Sequence, residues 1–560
     1  YTDFSVIEYF DSIGQNTGWG NPSERGAFEW EVATRYYRAT SEGAFDDIKL
    51  FGKAAGGGIS DYAFITASRN SFLKSRGYIR AAEERVGTKL QFNFVEKHII
   101  KNPRKSSGIP FRIGGDAHAI RSMIGEEARN AALLHRMFSH MPFVSNINSK
   151  LASTAKSRVR TVLSVPIPDT DAGRALYQGY KYMLAEVPSN VLIGNSPYYG
   201  GWDKMLEPIN DFNCHAANCE VRGHDMPKWD RSILSVIQLA GNLVVLTQLG
   251  LEQVQQKAFE MLGESLDEGQ AFNAVFNLAI GLNSNDITNP LYLNGEMGCK
   301  PSGVTSGKVD TAEGNSRAHK ICIDMVYMEY ITTYHGYDAV MHNYRDRFME
   351  FRSKPVCMWD LHALDDLLLR FDVYRDDCCQ REGLLSDDAW VVCDPDKTYT
   401  LKFFCDKLYL LSGFDMGEDK VWSLKGKQPP IEFCSQGTVF DDSGLMQPYP
   451  EPAKIVGHML QSHKIHAVVE LIRFVKFISL ALLAYPLRYL TDQPVTVRYL
   501  SETIIGFLKR HPIEYDICDS DLDMAMPYIP IGTEAFFDLF DKTDFFNKMI
   551  NIERIAAMYK

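Results

Sequence analysis

The run Leu384-Leu385-Ser386-Asp387-Asp388-Ala389-Trp390-Val391-Val392 sets two adjacent carboxylates between two short apolar stretches. The pattern predicts a strand ending at Leu384-Leu385, a turn at Ser-Asp-Asp, and a return strand starting at Ala389. Two acids on one tight turn repel each other, and a divalent cation shared with a further acid relieves that repulsion. The alternative is an acid pair on a solvated turn, so the question is whether partners exist elsewhere. Gly223-His224-Asp225-Met226-Pro227-Lys228-Trp229-Asp230 supplies one. Asp225 ends a short extended segment, and Asp230 falls five residues later, near the start of a helix. Asp225 with Asp387 and Asp388 has the composition of a two-metal site, which leaves coordination positions for phosphates and water.

Between these segments lies Lys300-Pro301-Ser302-Gly303-Val304-Thr305-Ser306-Gly307, a small-residue loop, followed by Thr311 and Asn315-Ser316. Thr311 and Asn315 stand four apart and share one helical face. Hydroxyl and amide groups on that face suit the reading of a sugar hydroxyl, although a Ser/Gly loop is by itself an ordinary connection. Basic residues concentrate in two stretches: Lys97, Lys101, Arg104, Lys105 and Arg112, then Lys150, Lys156, Arg158 and Arg160. Each is either a solvated basic face or a guide for a polyanion. Lys105-Ser106-Ser107-Gly108 reads as a loop whose small residues let the backbone approach a ligand.

The elements that must hold these groups are those of a large soluble-type chain. Its 560 residues exceed a single core, so two to four domains or subdomains are expected. The net charge of -12 argues against indiscriminate nucleic-acid binding, while the two basic stretches fit an interior channel. The eleven cysteines are scattered and read as reduced core thiols. Cys214-His215 with Cys219, and Cys378-Cys379, lack the paired spacing of a structural zinc site. Val159 to Val165 alternates as a strand, Val191 to Gly194 reads as a buried strand, and Tyr198 to Trp202 as a turn into a helix. Ile233 to Gly250 has helical spacing, the segment after Pro452 is mostly helical, and charges interrupt its most apolar part, so no direct membrane span is expected. Strands alternating with helices, then a helical end, imply an α/β or α+β body.

The ordered set acid-x4-acid, Ser-Gly…Thr…Asn and Ser-Asp-Asp resembles the palm signature of template-directed polymerases. Further segments sharpen this: Lys156-Ser157-Arg158-Val159-Arg160-Thr161-Val162, Tyr199-Gly200-Gly201-Trp202, Glu432-Phe433-Cys434-Ser435-Gln436, Pro448-Tyr449-Pro450-Glu451-Pro452 and Ala484-Tyr485-Pro486-Leu487. With Asp225 to Arg231 and Ser386 to Ala389 they resemble the RNA-dependent RNA polymerases of nidoviruses, the order that includes coronaviruses. Ser-Asp-Asp in place of Gly-Asp-Asp is characteristic of that order. The likeness runs from the Lys105 loop to the C-terminus.

The resemblance implies an α+β right-hand polymerase fold with fingers, an antiparallel palm sheet flanked by helices, and a mostly helical thumb. It divides the chain into fingers (1–185), palm (186–227), a fingers insertion (228–303), palm again (304–436) and thumb (437–560). Asp225, Asp387 and Asp388 would hold two Mg2+ ions, with Mn2+ able to substitute and zinc not expected. Lys420 matches the palm lysine that gives a proton to pyrophosphate. Lys150, Lys156, Arg158 and Arg160 match the finger motif that meets the incoming triphosphate. Phe433, Cys434 and Ser435 match the primer grip, Ser386 a primer contact, and Lys105, Ser106 and Gly108 the template loop. Asp230 stands where reverse transcriptases place an aromatic, and with Ser306, Thr311 and Asn315 it would read the ribose. The implied partners are template and primer RNA, ribonucleoside triphosphates, small replicase cofactor subunits and a helicase. The implied location is the host cytoplasm at membrane-associated replication complexes.

Three departures stand out. Arg231 to Asp286 lacks the Cys and His of a coronavirus zinc site, Lys308 replaces an acid after Ser-Gly, and too few residues precede Lys105 to hold an upstream nucleotidyltransferase domain. The rival readings are a reverse transcriptase or other palm polymerase, and a non-catalytic RNA-binding replicase subunit.

Overall fold

The computed structural model of the chain describes residues 59–100, 117–138, 161–195, 201–215, 218–288, 303–305, 307–417, 420–460 and 469–511, with short pieces at 8–9, 36–37, 145–149, 152–153, 197, 290–293 and 296–300. In chain order the strands are β1 (Ser145–Ser149), β2 (Thr161–Ser164), β3 (Glu220–Asp225), β4 (Pro290–Leu293) and β5 (Glu296–Cys299). They continue as β6 (Gln380–Leu385), β7 (Asp388–Cys393), β8 (Val421–Lys425), β9 (Gln436–Phe440) and β10 (Met446–Pro450). The principal helices are α1 (Asp61–Val86), α2 (Gly201–Asp211), α3 (Trp229–Ser232), α4 (Glu268–Ile287) and α5 (Thr311–Thr333). After them come α6 (Leu361–Cys378), α7 (Leu401–Ser412), α8 (Pro452–Leu460), α9 (Val469–Ala484) and α10 (Leu500–Arg510).

The central sheet has the order β8-β3-β7-β6 and is antiparallel throughout. Side chains alternate across it. On one face Val221, Trp390 and Val392 pack with Trp202, Leu206 and Phe433. On the other, Leu384 and Ala389 join Ile321, Met325 and Phe404 in a second core. Helix α5 is buried along almost its entire length, so its low amphipathicity follows from having neighbours on every side. Helix α1 packs beside it; Ser60 accepts from the Ala63 amide at its start, and Gly87, at φ 74°, ends it.

Two glycines let the sheet close on tryptophan rings. Gly223 lies under the Trp422 ring and Gly383 under that of Trp390, and a Cβ on either would fall inside the ring. A second sheet, β2-β1-β4-β5, joins β1 and β4 in parallel and the other pairs antiparallel. At the C-terminal end α9 packs on α10, with Phe477 and Phe507 rings 5.1 Å apart and Ser501 donating to the Ala481 carbonyl at 2.8 Å. Among the described residues no helix is long and apolar enough to cross a membrane.

Several expectations need correction. Val191 to Ile193 is buried but forms only an isolated bridge, Val191 to Leu384, because Gly194 at φ 90° turns the chain away after one pairing. The helical stretch from Ile233 stops at Leu243 and resumes as a single 3-10 turn at Leu246–Gln248. Cys214 and Cys219 are joined as a disulfide with Cα atoms 6.3 Å apart, since a short loop after α2 folds back on itself. They are therefore not the reduced thiols expected there.

Candidate active site

The acid-bearing hairpin lies where the spacing predicted it, but its turn is one residue shorter than expected, Asp388 already pairing in the return strand. Strands β6 and β7 pair Leu385 with Asp388, leaving Ser386 and Asp387 as a two-residue loop. Ser386 lies at φ 63°, and Asp387 is not among the positive-φ residues. Positive φ at the first loop position alone is the pattern of a II′ hairpin, a place that favours glycine. Serine is held there from three directions by α5. The Ser386 amide donates to the Ser316 hydroxyl at 2.8 Å, Asn315 donates its side-chain amide to the Ser386 hydroxyl at 3.2 Å, and His319 Nδ1 meets the Ser386 carbonyl at 3.1 Å.

Register brings the first acid to the same place. Asp225 is the direct cross-strand partner of Asp388, on the sheet face shared with Gly223 and Val221. The Met226 amide donates to the Asp387 carbonyl at 3.1 Å, closing the end of the sheet. Directly opposed residues have Cβ atoms about 4.5–5.5 Å apart, so like charges there are unfavourable unless compensated. Lys420 contributes compensation, its ammonium 3.4 Å from the Asp225 carboxylate in a half-exposed pair. Among the described residues, no three His, Cys, Asp or Glu side chains are already gathered to hold a metal. The backbone nevertheless brings three carboxylate-bearing residues to one sheet end. That donor set of hard oxygens fits Mg2+ or Mn2+.

Beneath the turn, α5 and β3 share a buried histidine pair. His224 Nε2 and His319 Nε2 are 2.9 Å apart, with Trp229 and Phe404 rings as walls. Burial and the neighbouring His319 push His224 well below the ordinary histidine range, and burial pushes His319 down to about 4. Both rings are neutral at physiological pH. Further down, Glu382 of β6 receives Lys320 at 2.8 Å and Arg375 at 3.3 Å, and Arg375 reaches Asp324 at 2.7 Å. Burial opposes the Glu382 charge, but Lys320 and Arg375 overcome it and hold the carboxyl well below the usual range.

The Ser-Gly loop is tied down from α4. Asp286 accepts from the Thr305 amide at 2.8 Å and pairs with Lys308 at 2.9 Å. Lys300, fully buried, donates to the Gly303 carbonyl at 2.8 Å and the Thr305 hydroxyl at 3.1 Å, and burial draws its pKa down to about 8. Lys308, the position that departs from the coronavirus pattern, thus has Asp286 and Asp310 as counter-charges. Thr311 donates its hydroxyl to the Thr305 and Lys308 carbonyls, so its hydrogen closes the loop. Asp230 pairs with Arg231 at 2.9 Å and accepts the Val304 amide on its carbonyl at 2.9 Å, which joins α3 to the same loop.

A second hairpin turn lies at Cys434-Ser435. Phe433 and Gln436 exchange backbone bonds at 2.9 and 3.0 Å around Cys434 and Ser435, which lie at φ 54° and 59°. Two consecutive positive φ values make an I′ turn. Phe433 is buried against Trp202, 5.9 Å between rings, and burial with Asp388 and Asp387 nearby pushes the Cys434 thiol up.

The structure thus brings Asp225, Asp387, Asp388, Lys420, Ser386 and Asn315 to one sheet end, with Asp230 of α3 and Thr311 of α5 bonded to the Ser-Gly loop. Lys105, Ser106, Gly108, Lys150, Lys156, Arg158, Arg160 and Ser306 lie outside the described residues. Sequence reasoning stops at Asn315 and passes over His224 and His319. The signal for His319 is its place four residues beyond Asn315 on the same helical face.

No family model matches the sequence. In overall structure the chain is similar to the RNA-dependent RNA polymerase of a human picobirnavirus, with a TM-score of 0.52 at 12% identity, over 99% of this chain and 87% of that one. It is also similar to the Sicinivirus 3Dpol RNA-dependent RNA polymerase, with a TM-score of 0.53 at 14% identity, over 88% of this chain and 96% of that one. The class this defines is the α+β right-hand polymerase fold.

Proposed function

We propose that the chain is a viral RNA-dependent RNA polymerase that transfers nucleotides from ribonucleoside triphosphates to a primer 3′-hydroxyl. The observation that carries this reading is the register: Asp225 opposite Asp388, with Asp387 bonded to the next residue of the first strand. Asp225, Asp387 and Asp388 are the residues that would hold two Mg2+ ions. Such ions supply a lowered pKa for the attacking hydroxyl and neutralise charge on the triphosphate. Lys420, paired with Asp225, would give a proton to the departing pyrophosphate. Asp230, Ser306, Thr311 and Asn315 form the ribose-reading group. By the same reading Lys150, Lys156, Arg158 and Arg160 would bind the triphosphate, Lys105, Ser106 and Gly108 would guide the template, and Ser386, Phe433, Cys434 and Ser435 would meet the primer.

The finer reading is a nidovirus-like polymerase acting in replication and transcription of a plus-strand genome. Ser386 supports it: this chain keeps serine at a turn position that favours glycine. Small replicase subunits and a helicase are the proposed partners, membrane-associated complexes in the host cytoplasm the proposed site, and fingers 1–185, palm 186–227 and 304–436, insertion 228–303 and thumb 437–560 the proposed division. Primer extension by the purified chain, with ribo- or deoxyribonucleotides and with or without Mg2+, tests the activity. Asp387→Ala should lose at least three orders of magnitude in rate, on the order of 4 kcal/mol, while RNA affinity persists. Efficient use of deoxyribonucleotides, or extension by the Asp387 variant, overturns the assignment.

A further inference from the structure

His224 immediately precedes the first acid, and Ser386 immediately precedes the acid pair. One side chain touches both. His319 lies on α5 with its ring completely buried, Nε2 2.9 Å from His224 Nε2 and Nδ1 3.1 Å from the Ser386 carbonyl.

The proton arrangement follows from the partners. A carbonyl oxygen only accepts, so His319 Nδ1 carries the hydrogen and its Nε2 is a lone pair. His224 must then donate through its own Nε2–H. A second proton on His319 would set two N–H groups against each other, so the bridge requires the lone pair of His319 Nε2. The packing around it is tight and aromatic, with Trp229 5.4 Å from the His319 ring and Phe404 4.8 Å from that of His224. Ser386 is clamped on its other polar atoms by Ser316 and Asn315, so movement of its carbonyl is transmitted to the turn.

We propose that His319 is a positioning residue which, as a strut from His224 to the Ser386 carbonyl, sets the spacing between Asp225 and the Asp387-Asp388 pair and thereby the affinity of the site for its divalent cations. The strut stands on the sheet face opposite the acids, bracing the strand and the turn that carry them. It rests on the polymerase reading for its catalytic consequence, but not for the metal affinity.

The two ring nitrogens can be separated by amide replacement. His319→Asn places an amide near the Nδ1 position and can keep the bond to Ser386. His319→Gln places one near Nε2 and can keep the bond to His224 only. Loss of a group that orients a ligand segment typically weakens metal binding about 10- to 100-fold. The measurements are Mg2+ and Mn2+ titration by calorimetry on the protein without RNA, single-turnover extension against Mg2+ concentration, RNA affinity, and thermal melting.

The expected result is weaker metal binding in both variants, a matching rise in the Mg2+ needed for half-maximal rate, recovery of rate at high Mg2+, and unchanged RNA affinity. His319→Gln should be the more affected, because the turn holds two of the acids. Metal affinity equal to wild type in both folded variants overturns the proposal, as does a rate loss that tracks melting temperature and ignores Mg2+. A wild-type chain that binds Mg2+ yet does not extend RNA would sink the polymerase reading and leave the strut standing. A wild-type chain that binds neither ion sinks the strut as well.

Discussion

Two hairpin turns flank the sheet end, and both place non-glycine residues at positive φ, but they are secured differently. Ser386 is bonded through its amide, hydroxyl and carbonyl to three side chains of the buried helix α5. At Cys434-Ser435, among the described residues, no side chain outside the hairpin hydrogen-bonds the turn, whose anchor is Phe433 packed on Trp202. A left-handed backbone costs about 1–2 kcal/mol per L-residue, so each must be overdetermined by its surroundings. The first turn is overdetermined by directional polar bonds, which fix orientation as well as position. The second is held by apolar packing of Phe433 and Cys434 on the Trp202 cluster, which is not directional and fixes position more than orientation. Under the proposed function, that division suits acids that keep a fixed separation and a turn that meets an RNA end of variable sequence.

The contrast can be broken at its foundation. Arg375 supports Asp324, Glu382 and Asp372 below the first turn, so Arg375→Ala should lower stability by about 3–5 kcal/mol in chemical denaturation, the usual result of stranding buried charges. A loss of a few tenths would mean the clamp does not depend on that network.

The next effect depends on pH and concerns the first turn of α5. Glu313 is completely buried, neither carboxylate oxygen has a hydrogen-bond partner, and burial, reinforced by Asp310, raises its pKa to about 7. The folded state therefore holds a proton the unfolded chain has released. Stability from this group is full below pH 4.5 and is lost as pH rises through 7, by about 3 kcal/mol at most. Glu313→Gln should remove this slope, and urea denaturation from pH 5 to 8 should show the variant gaining on wild type as pH rises.

Smaller effects separate the two turns themselves. Ser386→Ala keeps a Cβ at positive φ and loses the bond to Asn315, which should cost about 1 kcal/mol. Ser386→Gly loses the same bond but relaxes the backbone, and should melt close to wild type. Both should lose about tenfold in discrimination against 2′-deoxynucleotides if Asn315 depends on Ser386 for its orientation. Least of all, Cys434→Gly should gain about 0.5–1 kcal/mol of stability with turnover at saturating primer within about twofold of wild type. A large turnover loss there would show that the second turn is as exacting as the first.

The elements nearest the chemistry were the most legible from sequence. The Ser-Asp-Asp hairpin could be read, one residue too long in its turn, because a short polar turn between apolar strands is a local signal, and the Thr311–Asn315 face because helical spacing is local too. Asp225 opposite Asp388 is a register between strands more than 160 residues apart, beyond any periodicity: residue types suggested the trio of acids, but nothing local put the two strands side by side. The Lys308–Asp286 pair and the Glu382–Lys320–Arg375 network were hidden for the same reason: charged residues usually signal surface, and here tertiary contacts bury them in pairs. Helix α1 escaped notice because its 26 residues mix polar and apolar side chains without a clean stripe. The one-residue pairing at Val191 shows the opposite error, an apolar run taken as a strand when its burial comes from packing.

The tryptophans that close the sheet have a use in the laboratory. The chain has seven, and Trp202, Trp229, Trp390 and Trp422 surround the acid-bearing end. Trp229 lies stacked on Phe414 at 5.0 Å and beside the His319 imidazole, and Trp422 lies flat on the strand that ends in Asp225. Indole emission changes in colour and lifetime with nearby dipoles and charges. The protein thus carries its own optical gauge at the sheet end, able to report the arrival of an ion, a nucleotide or an RNA end without any attached dye.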